Sequence, residues 1–342
     1  MLTGTILHRC LINQSIRYLF NMTQEKILVS LIHFLNEGSK DKRAIESFLG
    51  RGKNIDHYLD ELNVLGIYPQ IKNDIYSIEK IELLDKSLIA EILSPLENSF
   101  QIQLMIEDII ETTSKAFSPS EIFNNRVKIC LAEFQTQGRG RGKREWLSPF
   151  SSGICCSVYT QLHIKSAPLG LSVFMGVQLV NLLESIGFIG LQLKWPNDIF
   201  FNEQKLGGIL IELSQNKNSE LIVNFGFGIN YALPNEFRNL NITNNKPIDL
   251  KSVKNGNLLS RNEITGYILK TIIVSIHEFT PDSVKEIRDH WNELDYFHDQ
   301  NISVESDNEI IHGYNRGIDI DGSLLIEQGS NLRKIISGHI VH

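Results

Sequence analysis

The chain is short of cysteine and of long apolar runs, and each shortage excludes a class of protein. Its four cysteines in 342 residues, Cys10, Cys130, Cys155 and Cys156, form no C-x-x-C pair. Two adjacent cysteines do not easily share one disulfide or one zinc site, so the thiols read as reduced cytosolic side chains. No apolar stretch approaches the roughly 18 to 20 residues that a membrane-spanning helix needs, which argues against a membrane role. His8, Arg9, Asn13 and Arg17 interrupt the opening segment and leave no apolar core for a signal peptide. That segment, residues 1–22 with its boundary, reads as a disordered tail, and Met22 reads as the native start, which N-terminal sequencing would check. Positive charge is not in excess either. A formal net charge of -7 means that the chain does not coat nucleic acid by bulk charge, so any DNA contact is local.

What is present is an ordinary soluble composition, 42% apolar and 21% charged, over a length that calls for two or three domains. Ile27, Leu28, Leu31, Ile32 and Phe34 recur at helical spacing before Asn36-Glu37-Gly38. Arg43 to Leu49 gives a second short helix closed by Gly50, and Ile55, Tyr58, Leu59, Leu62 and Leu65 lay one apolar face along a third, ended by Gly66. Ile67 to Ile78 then holds two β-like runs around an Asn-Asp turn. Three helices and a hairpin predict a winged helix-turn-helix over residues 23–80, with Lys53 on the recognition helix.

Ile81 to about Ser94 reads as helical, with Pro95 and Asn98 as a hinge into the next domain. Val127 to Ala132, Leu191 to Lys194, Gly208 to Leu213 and Leu221 to Phe225 read as strands. Leu169 to Ile186, Glu263 to Phe279 and Asp282 to Leu294 read as helices, so helices on a mixed sheet are expected over residues 81–297. From Ile302 onward, short strands separated by Asn, Asp and Gly turns predict a small β-barrel over residues 298–342. The fold class is therefore α+β.

The chemistry concentrates in Gln135-Thr136-Gln137-Gly138-Arg139-Gly140-Arg141-Gly142-Lys143-Arg144-Glu145-Trp146. Alternating glycines permit close approaches, and four cations in six positions supply forked and point-charge donors, so the stretch reads as a clamp for phosphate or carboxylate. It is not a P-loop, because the glycine spacing and the residue after Lys143 are wrong. Downstream come Lys194-Trp195-Pro196-Asn197-Asp198, then Lys205-Leu206-Gly207-Gly208-Ile209-Leu210, then Gly226-Phe227-Gly228-Ile229-Asn230.

With G-R-G-R, a tryptophan and S-P-F (Ser148-Pro149-Phe150), K-W-P-N-D with K-L-x-G-I-L, and G-x-G-I-N in order, the chain resembles the bifunctional biotin protein ligases that double as repressors of biotin synthesis. The resemblance runs from about Gln24 to the C-terminus. It implies a ligase domain followed by an SH3-like barrel, and a two-step reaction. Biotin carboxylate attacks the α-phosphate of ATP to give biotinyl-5'-AMP, and a lysine of the biotin carboxyl carrier protein of acetyl-CoA carboxylase then attacks the mixed anhydride.

By the same resemblance Lys194, Arg139 and Arg141 are the catalytic cations. Thr112, Thr113, Ser114, Gln135, Gly140 and Gly208 join those three around biotin. Arg144, Trp146, Asn197 and Asn230, with Arg141 and Lys194, hold the nucleotide, and magnesium accompanies ATP. No protein metal ligands are implied. Ser114 stands where the family usually has asparagine, Gly142-Lys143 reverses the family's basic-then-glycine order, and Glu145 places an acid where a base is common. The family further implies operator DNA, for which Arg51 and Lys53 are the candidate contacts, a homodimer loaded with biotinyl-AMP, and a cytoplasmic location. Over Gln24 to Lys80, however, eight Lys/Arg face nine Asp/Glu, so the module has no net attraction for DNA. A lipoate or octanoate ligase of the same superfamily, and a biotin-sensing DNA-binding regulator without turnover, are the alternative readings.

Overall fold

The computed structural model describes residues 22–122, 124–142, 144–164, 168–238, 246–253, 259–307 and 309–341. Residues 1–21 of the expected tail, with Cys10, and Lys143 lie outside them, whereas Met22, placed at the tail's boundary, already begins the first helix.

The chain opens with α1 (Met22–Asn36), β1 (Lys40–Asp41), α2 (Lys42–Leu49), α3 (Ile55–Val64) and the strands β2 (Gln70–Lys72) and β3 (Ile75–Ser77). Local chemistry sets the ends. Asp41 caps α2 by accepting from the Ala44 amide at 2.8 Å, Asn54 caps α3 through the Asp56 amide at 3.0 Å, and Gly50 leaves α2 at φ +91°. Asn73 and Asp74 both take positive φ, the geometry a tight hairpin between β2 and β3 requires. β1 pairs with β3 to complete a three-stranded antiparallel sheet. Lys53 precedes the Asn54 cap and so does not lie on α3, contrary to the expectation from sequence. Helix spacing buries Leu28, Leu31, Ile32, Ile45 and Leu62, and this core continues through Leu65 and Ile67 onto Ile109, Phe134 and Phe150 of the central body.

The segment after β3 has no regular secondary structure up to Asp85, and helix α4 spans only Lys86–Leu93, so the helix expected from Ile81 begins late. The Asp85 carboxylate caps it through the Ser87 and Leu88 amides at 2.8 and 3.2 Å. Ile89, Leu93 and Leu96 lie in the same core as the central sheet, so the turn at Pro95 and Asn98 falls inside one core rather than between two.

The central sheet contains β4 (Gln101–Ile110), β5 (Arg126–Gln135), β6 (Gly153–Gln161), β7 (Gln192–Lys194), β8 (Asp198–Phe201), β9 (Gln204–Gln215) and β10 (Leu221–Asn230), in the order β4-β5-β6-β10-β9-β8-β7. The pair β4–β5 is parallel and the others are antiparallel, so the sheet is mixed. α5 (Leu171–Ser185), the short α6 (Asn235–Arg238) and α7 (Leu250–Val253), α8 (Arg261–Glu278) and α9 (Ser283–Leu294) complete the helices. The period-2 alternation of strands decides which side they cover. Val223, Phe225, Phe227 and Ile229 of β10 and Ile154, Cys156 and Val158 of β6 join the core with Ile268, Ile272 and Trp291. The intervening residues, Asn224, Gly226, Gly228 and Asn230 on β10 and Cys155, Ser157 and Tyr159 on β6, point to the opposite face.

A five-stranded antiparallel sheet ends the chain: β11 (Asn301–Ser306), β12 (Glu309–Ile318), β13 (Leu324–Gln328), β14 (Asn331–Ile335) and β15 (His339–Val341), ordered β14-β13-β12-β11-β15. It is joined to the edge of the central sheet. The Tyr296 amide donates to Leu193 O at 2.9 Å, Asn315 Nδ2 donates to the Asp295 carboxylate at 2.7 Å, and the Trp195 indole donates to Gly322 O at 3.0 Å. Among the described residues, no helix is long and apolar enough to cross a membrane.

Candidate active site

The face of the sheet turned away from the helices is stripped of side chains where it matters. A Cβ on Gly228 would overlap the Trp146 ring, which gives this glycine of the G-x-G-I-N stretch a steric cause: it leaves room for Trp146 on the sheet. Gly207, paired with Ile229, lies on the core side, where a Cβ would come within 2.7 Å of Gly228 O. Gly208 opens space beside Asp198 and Lys205, whose ion pair is 2.7 Å long, and the Lys205 ammonium lies 5.6 Å from the centre of the Trp146 ring.

The Gly/Arg stretch is a hairpin standing on that face. The Trp146 amide donates to Gly138 O and the Gly140 amide to Arg144 O, both at 2.9 Å, with Arg139 paired to Glu145 between them. A Cβ at Gly138 would overlap the Trp146 carbonyl, so the root of the hairpin requires glycine there, while Gly142 turns the tip at φ +66°. Arg144 Nε donates to Arg141 O at 3.3 Å, and Arg141 reaches across to Gly338 O at 3.5 Å, touching the C-terminal sheet. Burial lowers the Arg141 pKa, and neighbouring Arg144 adds to the shift while Asp198 opposes it.

Lys194 ends β7 at 6% exposure, with its ammonium 5.4 and 5.6 Å from the Phe297 and Phe200 ring centres. Burial lowers its pKa, Asp198 opposes the shift, and Lys205 and Arg144 lower it further. Among the described residues no carboxylate lies within ion-pair distance of it, since Asp198 is taken by Lys205. Lys194 is thus a desolvated cation without a partner carboxylate, the condition under which an arriving anion is bound most strongly.

The threonine segment lies at the other end of the hairpin. The Thr113 amide and hydroxyl donate to Gln135 Oε1 at 2.8 and 3.2 Å. Its hydroxyl also meets Ser157 Oγ at 2.9 Å, and Tyr159 donates to its carbonyl at 2.9 Å. Thr112 and Ser114 hydroxyls lie 3.1 Å apart, and Arg139 donates to Ser114 Oγ at 3.1 Å. Thr112, Thr113, Ser114, Gln135, Arg139 and Gly140 are therefore neighbours, as the sequence suggested. Ser157 and Tyr159 were missed because β6 itself was missed; Glu212 and Asn224 lie on strands that were recognised, at positions that read as outward-facing.

Two predicted nucleotide contacts have structural duties. Asn197 Nδ2 donates to Ile209 O at 2.6 Å, fixing the turn after Lys194 against β9. Asn230 Nδ2 donates to Ile248 O at 2.9 Å and to Lys205 O at 3.4 Å, bracing the end of β10. Arg51 and Lys53 are exposed in the turn between α2 and α3. Cys130, Cys155 and Cys156 are free and buried, and burial pushes the Cys130 thiol up to about 12 and raises the other two, so none is a ready nucleophile.

Residues 109–230 match the Biotin/lipoate A/B protein ligase family, and residues 297–342 match the Biotin protein ligase C terminal domain. The chain is 31% identical over 212 residues to the bifunctional ligase/repressor BirA of Salmonella typhimurium, a match covering 62% of this chain and 65% of that protein, just under two thirds of its length. The Bacillus subtilis protein of the same name is 27% identical over 249 residues, covering 69% of this chain and 73% of the relative. Among solved structures, the biotin protein ligase from Aquifex aeolicus in complex with biotin and ATP is 27% identical with a TM-score of 0.58, covering 70% of this chain and 97% of that one. Beneath the glycine-lined sheet face and the Gly/Arg hairpin, the chain thus carries a domain of the Biotin/lipoate A/B protein ligase family over residues 109–230 and a Biotin protein ligase C terminal domain over residues 297–342.

Proposed function

We propose that the chain is an ATP-dependent biotin protein ligase. The carrying observation is Lys194: a buried cation without a partner carboxylate among the described residues, in the field of Arg144 and beside a sheet face cleared by glycine at Gly228. In the first step a biotin carboxylate oxygen attacks the α-phosphorus of ATP, the P–O bond to pyrophosphate breaks, and biotinyl-5'-AMP forms. In the second, an acceptor lysine nitrogen attacks the acyl carbon, the C–O bond to AMP breaks, and the ammonium proton passes to solvent. Negative charge gathers on the phosphoryl oxygens in both, so rate comes from cations already in place.

Lys194 bridges the carboxylate and the α-phosphate, Arg141 and Arg144 serve the nucleotide, and Trp146 presents its ring to adenine, with Asn197 and Asn230 shaping that end. Thr112, Thr113, Ser114 and Gln135 pair with the ureido end, and Gly140 and Gly208 give it room. Arg139 borders the carboxylate with its main chain. Among the described residues no three His, Cys, Asp or Glu side chains gather as a metal site. Magnesium is therefore proposed only as the ion that ATP carries on its phosphates. The acceptor is a biotin carboxyl carrier protein, and the setting is the cytoplasm.

The names of the relatives favour a second role as a biotin-responsive repressor. The three helices and hairpin before Ser77 would act as a winged helix on operator DNA, with Arg51 and Lys53 on phosphates and a homodimer formed on loading with biotinyl-AMP. The deciding experiment is incorporation of labelled biotin into a purified carrier domain, with and without ATP, beside the same assay with lipoate. ATP-dependent biotin transfer is expected, slowed about a hundred- to a thousandfold in a folded Lys194→Ala variant. Tight biotin binding without transfer would make the protein a sensor, and lipoate transfer would move it to the neighbouring activity.

A further inference from the structure

Arg139 and Glu212 form a forked ion pair, Nη2 to Oε1 at 2.7 Å and Nη1 to Oε2 at 3.0 Å. The same Nη1 donates to Ser114 Oγ at 3.1 Å. Glu212 Oε2 also accepts from Asn224 Nδ2 at 3.2 Å, and that nitrogen donates to Ser114 O at 3.0 Å. The contacts close a ring through three separate pieces of chain: the hairpin, the turn at Thr112–Ser114, and the adjacent strands β9 and β10. Glu212 and Asn224 are direct register partners on those strands, which fixes the receptor before the loops arrive. The Asn224 Oδ1 atom is buried and has no hydrogen-bond partner among the described residues, so its amide is oriented by what its nitrogen holds.

We propose that Glu212 and Asn224 are positioning residues for the ligand site: together they latch the Arg139 side chain and the Thr112–Ser114 turn to the sheet, so that the two loops flanking the substrate share one geometry. A protein carboxylate thereby occupies the Arg139 guanidinium, leaving Lys194, Arg141 and Arg144, among the described residues, as cations available to ligand anions. The latch is openable. Side-chain exposures of 41% for Arg139 and 33% for Glu212 put the pair in contact with water, where such pairs hold a loop only a few-fold. The inference rests on the ligand-site reading above, but its first test needs no ligand.

The test is limited trypsin digestion of the full chain without ligand, following cleavage after Arg141 and Arg144 by mass spectrometry. Glu212→Gln is expected to speed cleavage about fivefold, and to add nothing further in an Arg139→Gln background. An unchanged rate in Glu212→Gln overturns the proposal. So does equal acceleration in the Arg139→Gln background, which is what general loosening of the sheet would give. As a second readout, the biotin dissociation constant of Glu212→Gln measured by calorimetry rises about fivefold, and Arg139→Gln with Glu212→Gln is no weaker than either alone. If the chain binds no biotin, the digestion result still decides the latch and only the reading of the site fails.

Discussion

The central sheet is joined to a smaller module at each end, and the two joints are built on opposite principles. Toward the N-terminal helices the joint is ionic and many-membered. Arg261, fully buried at the start of α8, donates to Glu133 Oε2 at 2.7 Å, to Glu82 O at 2.9 Å, to Gly153 O at 2.8 Å and to Ser151 Oγ at 3.2 Å. Glu82 returns the engagement, accepting from the Arg261 and Asn262 amides at 2.9 and 3.1 Å. Toward the C-terminal sheet the joint is one buried carboxyl, Asp295, accepting from the Phe297 amide at 3.0 Å and from Asn315 Nδ2 at 2.7 Å. Burial raises its pKa from 3.8 to about 6, against those two hydrogen bonds. The first joint keeps its charge through an ion pair, whereas among the described residues Asp295 has no ion-pair partner, only the more distant field of His298, and its carboxyl is left titratable near neutrality.

The comparison breaks first at Arg261. Arg261→Met leaves Glu133 buried, at 2% side-chain exposure, without its cation. Loss of one partner of a buried pair costs about 3–5 kcal/mol, and replacing both partners with apolar side chains costs much less. Urea unfolding at pH 7 should therefore show Arg261→Met to be far less stable than wild type, with the Arg261→Met, Glu133→Leu double variant recovering part of the loss. Because Glu133 lies two residues before Gln135, the single variant should also loosen the root of the Gly/Arg hairpin.

The second joint is tested by acid. The folded pKa of Asp295 lies above its unfolded value, so this group's contribution to stability is fully present below pH 3.8 and is lost as pH rises through about 6. A shift of this size corresponds to about 3 kcal/mol at most. The stability of wild type minus that of Asp295→Asn should fall by up to that amount between pH 4 and pH 7. A difference that stays flat over the range would remove Asp295 from the joint as a titrating group. Since Tyr296 bonds to Leu193, next to Lys194, the same titration should also be visible in the pH dependence of the proposed adenylation.

Much of the site was legible because its residues break the local pattern. Glycines in strands, a tryptophan after a cationic turn and a lysine at a strand end have few uses, and the geometry gives each a cause in Gly228, Trp146 and Lys194. The two joints were not legible. Arg261 after a serine cap reads as a solvated helix start, and only the fold shows that it is buried. Strand β6 was missed because all nine of its residues are buried, which removes the alternation that marks a half-exposed strand. The helix expected from Ile81 does not include Ile81 to Leu84, where the capture of the Glu82 carboxylate by α8 keeps the chain out of the helix, a tertiary override of local preference. Asp295 follows a clear helix and reads as an ordinary cap.

The smallest effect separates two contributions within the first joint. Ser151 takes φ +59°, a left-handed conformation that costs a residue with a Cβ about 1 kcal/mol, while its hydroxyl donates to Glu82 O at 2.7 Å, a bond worth about the same. Ser151→Ala keeps the strained backbone and loses both this bond and the one its oxygen accepts from Arg261 at 3.2 Å, so it should destabilise by about 2 kcal/mol. Ser151→Gly loses the same two bonds but relieves the backbone, so it should recover about 1 kcal/mol of that loss. The Glu82 carbonyl keeps Arg261 as a donor in both variants, which prevents a larger penalty from an abandoned acceptor. If urea midpoints place alanine and glycine together below wild type, the hydroxyl matters and the backbone strain does not. If glycine is clearly more stable than wild type, the strain is the larger quantity, and serine is retained there for the hydrogen bond that ties Glu82 to the sheet.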